Sequence, residues 1–131
     1  MGLQLLLRSL AWLLIAATAA VTLSPHQVRP STAAPADVER VLAFILISAT
    51  LAFAYPKQRV SVFILAVVIA IVLELGQNLV PDRHAHIHDA LVKINGSIAG
   101  ALIAEFMQRF GTLTWFRLPS ALKSIIRKRR S

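Results

Sequence analysis

The sequence predicts an all-α, polytopic membrane protein. It has four transmembrane helices, both termini on the cytoplasmic side, and a short basic amphipathic helix at the C-terminus. Three observations carry this. Hydrophobic residues make up 56% of the 131 positions and charged residues 15%, against about 25% charged in ordinary soluble domains. Mean hydropathy is +0.67, and a small soluble domain, with its high surface-to-volume ratio, needs a polar shell that such a chain cannot supply. The apolar residues fall into four runs, at 3–23, 41–55, 60–80 and 90–110. The basic residues are a tail on this apolar body, because seven of the fourteen Lys and Arg lie from Arg109 onward.

A bilayer core of about 30 Å needs about 20 helical residues. Runs one, three and four meet this length; run two is short and must borrow residues 38–40 or thin the bilayer locally. In lipid the backbone has to satisfy its own hydrogen bonds, so each run is expected as a helix. Arg8 interrupts run one. Ala16-Ala17-Thr18-Ala19-Ala20 offers small residues for a signal peptidase, but one basic residue and a long apolar stretch favour a retained span. The joints carry breakers: Pro25, Pro30 and Pro35 in the first, Pro56 in the turn Tyr55-Pro56-Lys57-Gln58-Arg59, and Pro81 in the third. Residues 1–110 form the transmembrane domain and 111–131 a basic cytoplasmic tail.

Lys57 and Arg59 in the middle turn, with the basic tail, place those segments inside; Arg29, Arg40 and Arg83 are the few basic residues opposite. The net charge of +8 therefore points to an anionic lipid surface rather than nucleic acid. Along 120–130, Leu122, Ile125 and Ile126 oppose Lys and Arg, after Trp115 and Phe116, which suit the membrane interface. No cysteine is present, which removes disulfides and thiolate chemistry. There is no GxxxxGK[ST], GxSxG or HExxH, and no cofactor is implied.

Polar residues inside the apolar body are the candidate site. Glu74, Gln77 and Asn78 share one face of helix three by their i, i+3, i+4 spacing. Asp89, Lys93, Gly96 and Gly100 share one face of helix four. At 1.5 Å per residue, Glu74 lies about 9 Å below Val80 and Lys93 about 6 Å below Asp89. Antiparallel neighbours can thus pair Glu74 with Lys93, and Arg40 and Arg83 are placed to join them. Ionisable groups at such depth are costly and point to function; the alternative reading is two charges that neutralise each other and fix helix packing. Gly96-Ser97-Ile98-Ala99-Gly100, extended by Ala104, is a small-residue face expected to serve internal packing before dimerisation. His84, His86 and His88 alternate before Asp89. Their spacing is shorter than that of structural zinc sites, so no metal is expected and the segment is taken as a solvated, pH-responsive loop.

The stretch Leu73-Glu74-Leu75-Gly76-Gln77-Asn78-Leu79-Val80-Pro81-Asp82-Arg83, followed by Asp89 and the glycines at 96 and 100, resembles the VanZ-like membrane proteins. Leu23-Ser24-Pro25, Ala43-Phe44 and Tyr55-Pro56 fit the same pattern, and the resemblance spans about residues 10–106. Lys93 stands where the family has Asn, and Arg40 where it often has His; both changes make the site more basic. The resemblance implies a bacterial envelope protein of the cytoplasmic membrane, in a family linked to low-level teicoplanin resistance.

On this basis Arg40, Glu74, Gln77, Arg83, Asp89 and Lys93 are candidates for binding an anionic envelope lipid or glycan-lipid head group at the outer leaflet. Two other classes stand beside it. One is a small intramembrane enzyme with Glu74 or Asp89 as general base. The other is a packing or assembly subunit joined through Gly96 and Gly100 to a second copy or an envelope protein. The orientation is testable with Thr32→Cys and Gln58→Cys in the cysteine-free chain. An impermeant thiol reagent should label only the former in intact cells; labelling of the latter alone reverses the topology.

Overall fold

A computed structural model of the chain describes residues 2–24, 33–80 and 84–117, with side chains through Gly111. Arg83 and the basic helix expected at 120–130 lie outside the described residues. Within them all regular structure is helical: α1 (Gly2–Leu23), α2 (Ala36–Ala54), α3 (Arg59–Gly76), a 3-10 turn (Gln77–Leu79) and α4 (Ile87–Arg117).

The helix ends follow local chemistry. α2 stops at Tyr55, whose successor is Pro56; the residue before a proline is pushed out of the helical region, and Tyr55 has φ −130 and ψ 63. The turn is short because Gln58 N–H reaches Tyr55 O at 3.0 Å, and Gln58 O then accepts from Val62 N–H to open α3. Val80, before Pro81, is extended at φ −96 and ψ 130, which ends the 3-10 turn for the same reason. Asp89 sits in the first turn of α4, where a negative charge favours the helix dipole.

Three helical segments are long and apolar enough to cross a membrane: Gly2–Leu23, Arg59–Leu79 and Ile87–Gly111. α2, the helix of the run expected to be short, is not among them, because its beginning holds Asp37, Glu39 and Arg40. Its 19 residues still rise about 28 Å, and it lies centrally, packed against α1, α3 and most extensively α4. α4, with 31 residues, is about 46 Å long and overruns a bilayer core. It begins at Ile87 and reaches Arg117, beyond both ends of the apolar run that predicts it.

Large apolar side chains point outward, among them Leu6, Leu13, Val60, Val72, Leu102 and Phe106. Beside Phe44, Ile47 and Leu51, much of the interior is alanine, including Ala11, Ala54, Ala66, Ala70 and Ala104. This is the distribution of a bundle in lipid, where tails are as apolar as leucine and close backbone approach replaces hydrophobic expulsion. The closest approach is α2 on α4. A Cβ on Gly96 would stand 2.7 Å from Val41 O, and one on Gly100 would stand 2.4 Å from Ile45 O. Ser48 Oγ donates to Ser97 O at 2.7 Å across this contact, and Ala104 continues it without exposure. The small-residue face is thus spent inside the chain. Gly100→Ala should cost about 1–3 kcal/mol in detergent unfolding, whereas Gly111→Ala, with nothing within 4 Å of its Cβ position, should be neutral.

Candidate functional site

The polar residues gather where α2 begins, α3 ends and α4 begins. Two ion pairs meet there, one helical turn apart on α4. The inner one is Lys93 Nζ to Glu74 Oε2 at 2.5 Å, with side chains 1% and 4% exposed. The outer one is a fork: Arg40 Nη1 donates to Asp89 Oδ1 at 3.0 Å, and Arg40 Nη2 lies 2.9 Å from Asp89 Oδ2. Both planar groups are used, which a lysine at 40 could not reproduce.

Glu74 is held on every side. Gln77 Nε2 donates to Oε2 at 3.2 Å, and His86 N–H donates to Oε1 at 2.8 Å. Asn78 Oδ1 accepts Ala85 N–H at 2.8 Å. The end of α3 therefore ties down the segment leading into α4 and fixes where α4 starts. Buried charge at this depth is tolerable because each charge has an opposite partner and further hydrogen bonds.

Of the expected site residues, the fold brings together Arg40, Glu74, Gln77, Asp89 and Lys93. Arg40 reaches Asp89 rather than the Glu74–Lys93 pair itself. The site is also less basic than the two substitutions suggest, because Arg40 and Lys93 are each matched by carboxylates. Asp37, absent from the sequence-based set, is a second partner of Arg40 at 2.9 Å; its i, i+3 spacing was the available signal. His86 contributes its backbone, which no sequence pattern could announce.

The histidines do not form a common ligand set. Among the described residues, His88 is the one histidine in an ion-pair contact, with Nδ1 3.7 Å from Asp89 Oδ1. Asp37, His88 and Asp89 do place ligand atoms within 4.8 Å of one another. The Arg40 guanidinium bonds both carboxylates, so it already occupies the cation's role between them.

Beside the pairs, a cleft of about 240 Å³ opens between α1 and α2. Ala17, Thr18 and Val21 form one wall and Ala43 and Phe44 the other, while Glu39, Arg40 and Lys93 give it polar groups. The α1 wall is not legible in the sequence, since those residues are small and lie far from the polar cluster along the chain. No family of known proteins matches the sequence, and neither does any curated protein or solved structure.

At the opposite end a second ionic group joins α3 to α4. Arg59 is bonded to Glu105, and Arg109 Nε donates to Glu105 Oε1 at 2.7 Å. The Glu105–Arg109 spacing of i, i+4 is legible in sequence; the Arg59 link is not.

The inner pair generates a coupling test. Lys93→Met and Glu74→Gln should each destabilise the fold, by about 3–5 kcal/mol where an orphan charge is left buried. The double variant should lose less than the sum, since no orphan charge remains. A double-mutant cycle by detergent unfolding reads this directly, and strict additivity would show that the pair contributes nothing as a pair.

Proposed function

We propose that this chain is a multi-pass, VanZ-like protein of the bacterial cytoplasmic membrane that binds the phosphate-bearing head group of an envelope lipid at its outer end. The observation that carries the reading is the cleft between α1 and α2, with apolar walls and Arg40, Lys93 and Glu39 among its lining residues. A lipid presents this combination: phosphate for the Arg40 guanidinium, a chain for the apolar wall. Arg40 spends part of its fork on Asp37 and Asp89, and its side chain stays 22% exposed, so N–H groups are left for a phosphate oxygen. Glu39 suits an ammonium or hydroxyl on the same head group. The resemblance adds support, because three of the positions that carry it (Glu74, Gln77 and Asp89) converge on one end of the bundle, and the two glycines hold α2 against α4 below them.

Binding is favoured over catalysis by the state of the two candidate bases. Glu74 is 3% exposed and bonded to Lys93, Gln77 and His86; Asp89 is forked by Arg40. A general base needs reach to a substrate proton, and both carboxylates are committed to cations. A packing subunit without ligand would need no cleft beside the pairs.

Thr18→Phe fills the cleft without touching a charge. Native mass spectrometry of protein extracted with its own lipids should find one phosphate lipid fewer on Thr18→Phe than on the wild type. Arg40→Lys, which keeps charge but loses the fork, should weaken retention. The retained mass separates a glycerophospholipid from a polyprenyl phosphate. Equal lipid retention by all three proteins would leave the packing role.

A further inference from the structure

We propose a second, independent lipid site at the other end of the bundle: a pocket for the anionic phosphate head group of an inner-leaflet phospholipid, held by Arg8 and Lys57. The pocket measures about 310 Å³ and lies between the start of α1 and the α2–α3 turn. Gln4, Arg8, Tyr55, Pro56, Lys57 and Gln58 line it. Gln4 and Arg8 are four apart and share one face of α1. The lining holds two cations, two amides and a phenol, and no carboxylate.

The charges elsewhere show why this pocket differs. Among the described side chains, Arg40 pairs with Asp37 and Asp89, Lys93 with Glu74, and Arg59 and Arg109 with Glu105. Arg8 and Lys57 are the two described cations with no carboxylate partner among the described residues, and both line this pocket. Arg59, two residues beyond Lys57, is neutralised by Glu105, so the turn separates one committed cation from one uncommitted cation.

Arg8 is also held in place. Its guanidinium carbon lies 4.8 Å from the centroid of the Tyr55 ring. Such stacking fixes a guanidinium without consuming its N–H donors. An arginine inside the apolar run of α1 is costly and is turned here toward a polar pocket. On the charge bias of the loops, this end faces the cytoplasm, where basic pockets between transmembrane helices suit anionic head groups. With no carboxylate to receive an ammonium, the pocket should select phosphatidylglycerol over phosphatidylcholine, unlike the cleft containing Glu39.

The test uses the full chain in nanodiscs of phosphatidylcholine and phosphatidylglycerol, with retained lipid read by native mass spectrometry. Raised salt suppresses surface attraction to the basic tail. Wild type should retain phosphatidylglycerol preferentially. Lys57→Gln, at an exposed turn position where the fold should tolerate it, should weaken retention about fivefold, and Arg8→Gln with Lys57→Gln about twenty-five-fold. Lys57→Arg should retain the lipid, and Thr18→Phe at the other cleft should leave this lipid bound. Undiminished phosphatidylglycerol in Lys57→Gln, or equal retention of phosphatidylcholine by the wild type, would overturn the site. Displacement of the lipid by inorganic phosphate alone would make free phosphate the ligand and overturn the lipid assignment.

Discussion

The close approach of α2 to α4 at Gly96 and Gly100 is the constraint on which the other contacts depend. A bundle in lipid gains little by hiding leucine from leucine, so its helices must meet through backbone contact and polar bonds. A side chain at Gly100 would collide with Ile45 O; with glycine there, the two backbones lie close enough for Ser48 to bond Ser97 O. The same approach brings the first turns of α2 and α4 side by side, and the Arg40–Asp89 fork closes over it. Widening that contact would pull the fork apart and open the roof of the inner pair.

The bundle then divides into ends of different character. At the end where α4 begins, carboxylates and cations are matched and buried, so electrostatics there fix geometry: Glu74 gathers Lys93, Gln77 and the His86 N–H at one point. At the Tyr55–Gln58 end the Arg59–Glu105–Arg109 group is matched as well, yet Arg8 and Lys57 stand apart from any described carboxylate. The matched clusters fix packing, and the recognition proposed for Arg40 would use the N–H groups that its carboxylates leave over. Arg8 and Lys57 have no carboxylate partner among the described residues, which is why the proposed lipid head group is placed there as their counter-ion.

α2 shows how tertiary position overrides hydropathy. Its charged first turn keeps it out of the set of helices apolar enough to span, yet Phe44, Ile47 and Leu51 are among the most buried side chains in the chain. α1 shows the converse: it is strongly apolar and yet buries Ala11 alone. Hydropathy reports the solvent a helix tolerates. Its depth inside the bundle is set by which neighbours it contacts, and α2 has three.

The sequence by itself determined the helical class, the joints and the pairing of polar faces. Composition excludes a polar shell, prolines at 56 and 81 end helices by backbone sterics, and helical periodicity with a fixed rise puts Glu74 and Lys93 at matched depth. These are local or one-dimensional constraints. Tertiary structure alone decided that Arg40 forks onto Asp89 while Lys93 keeps Glu74, that Asp37 and a backbone N–H complete the cluster, and that α1 leaves a cleft at one end and closes a basic pocket at the other. Those outcomes depend on helix rotation and separation, set by which small residues allow backbones to touch. A sequence records the small residues but not which backbone lies opposite.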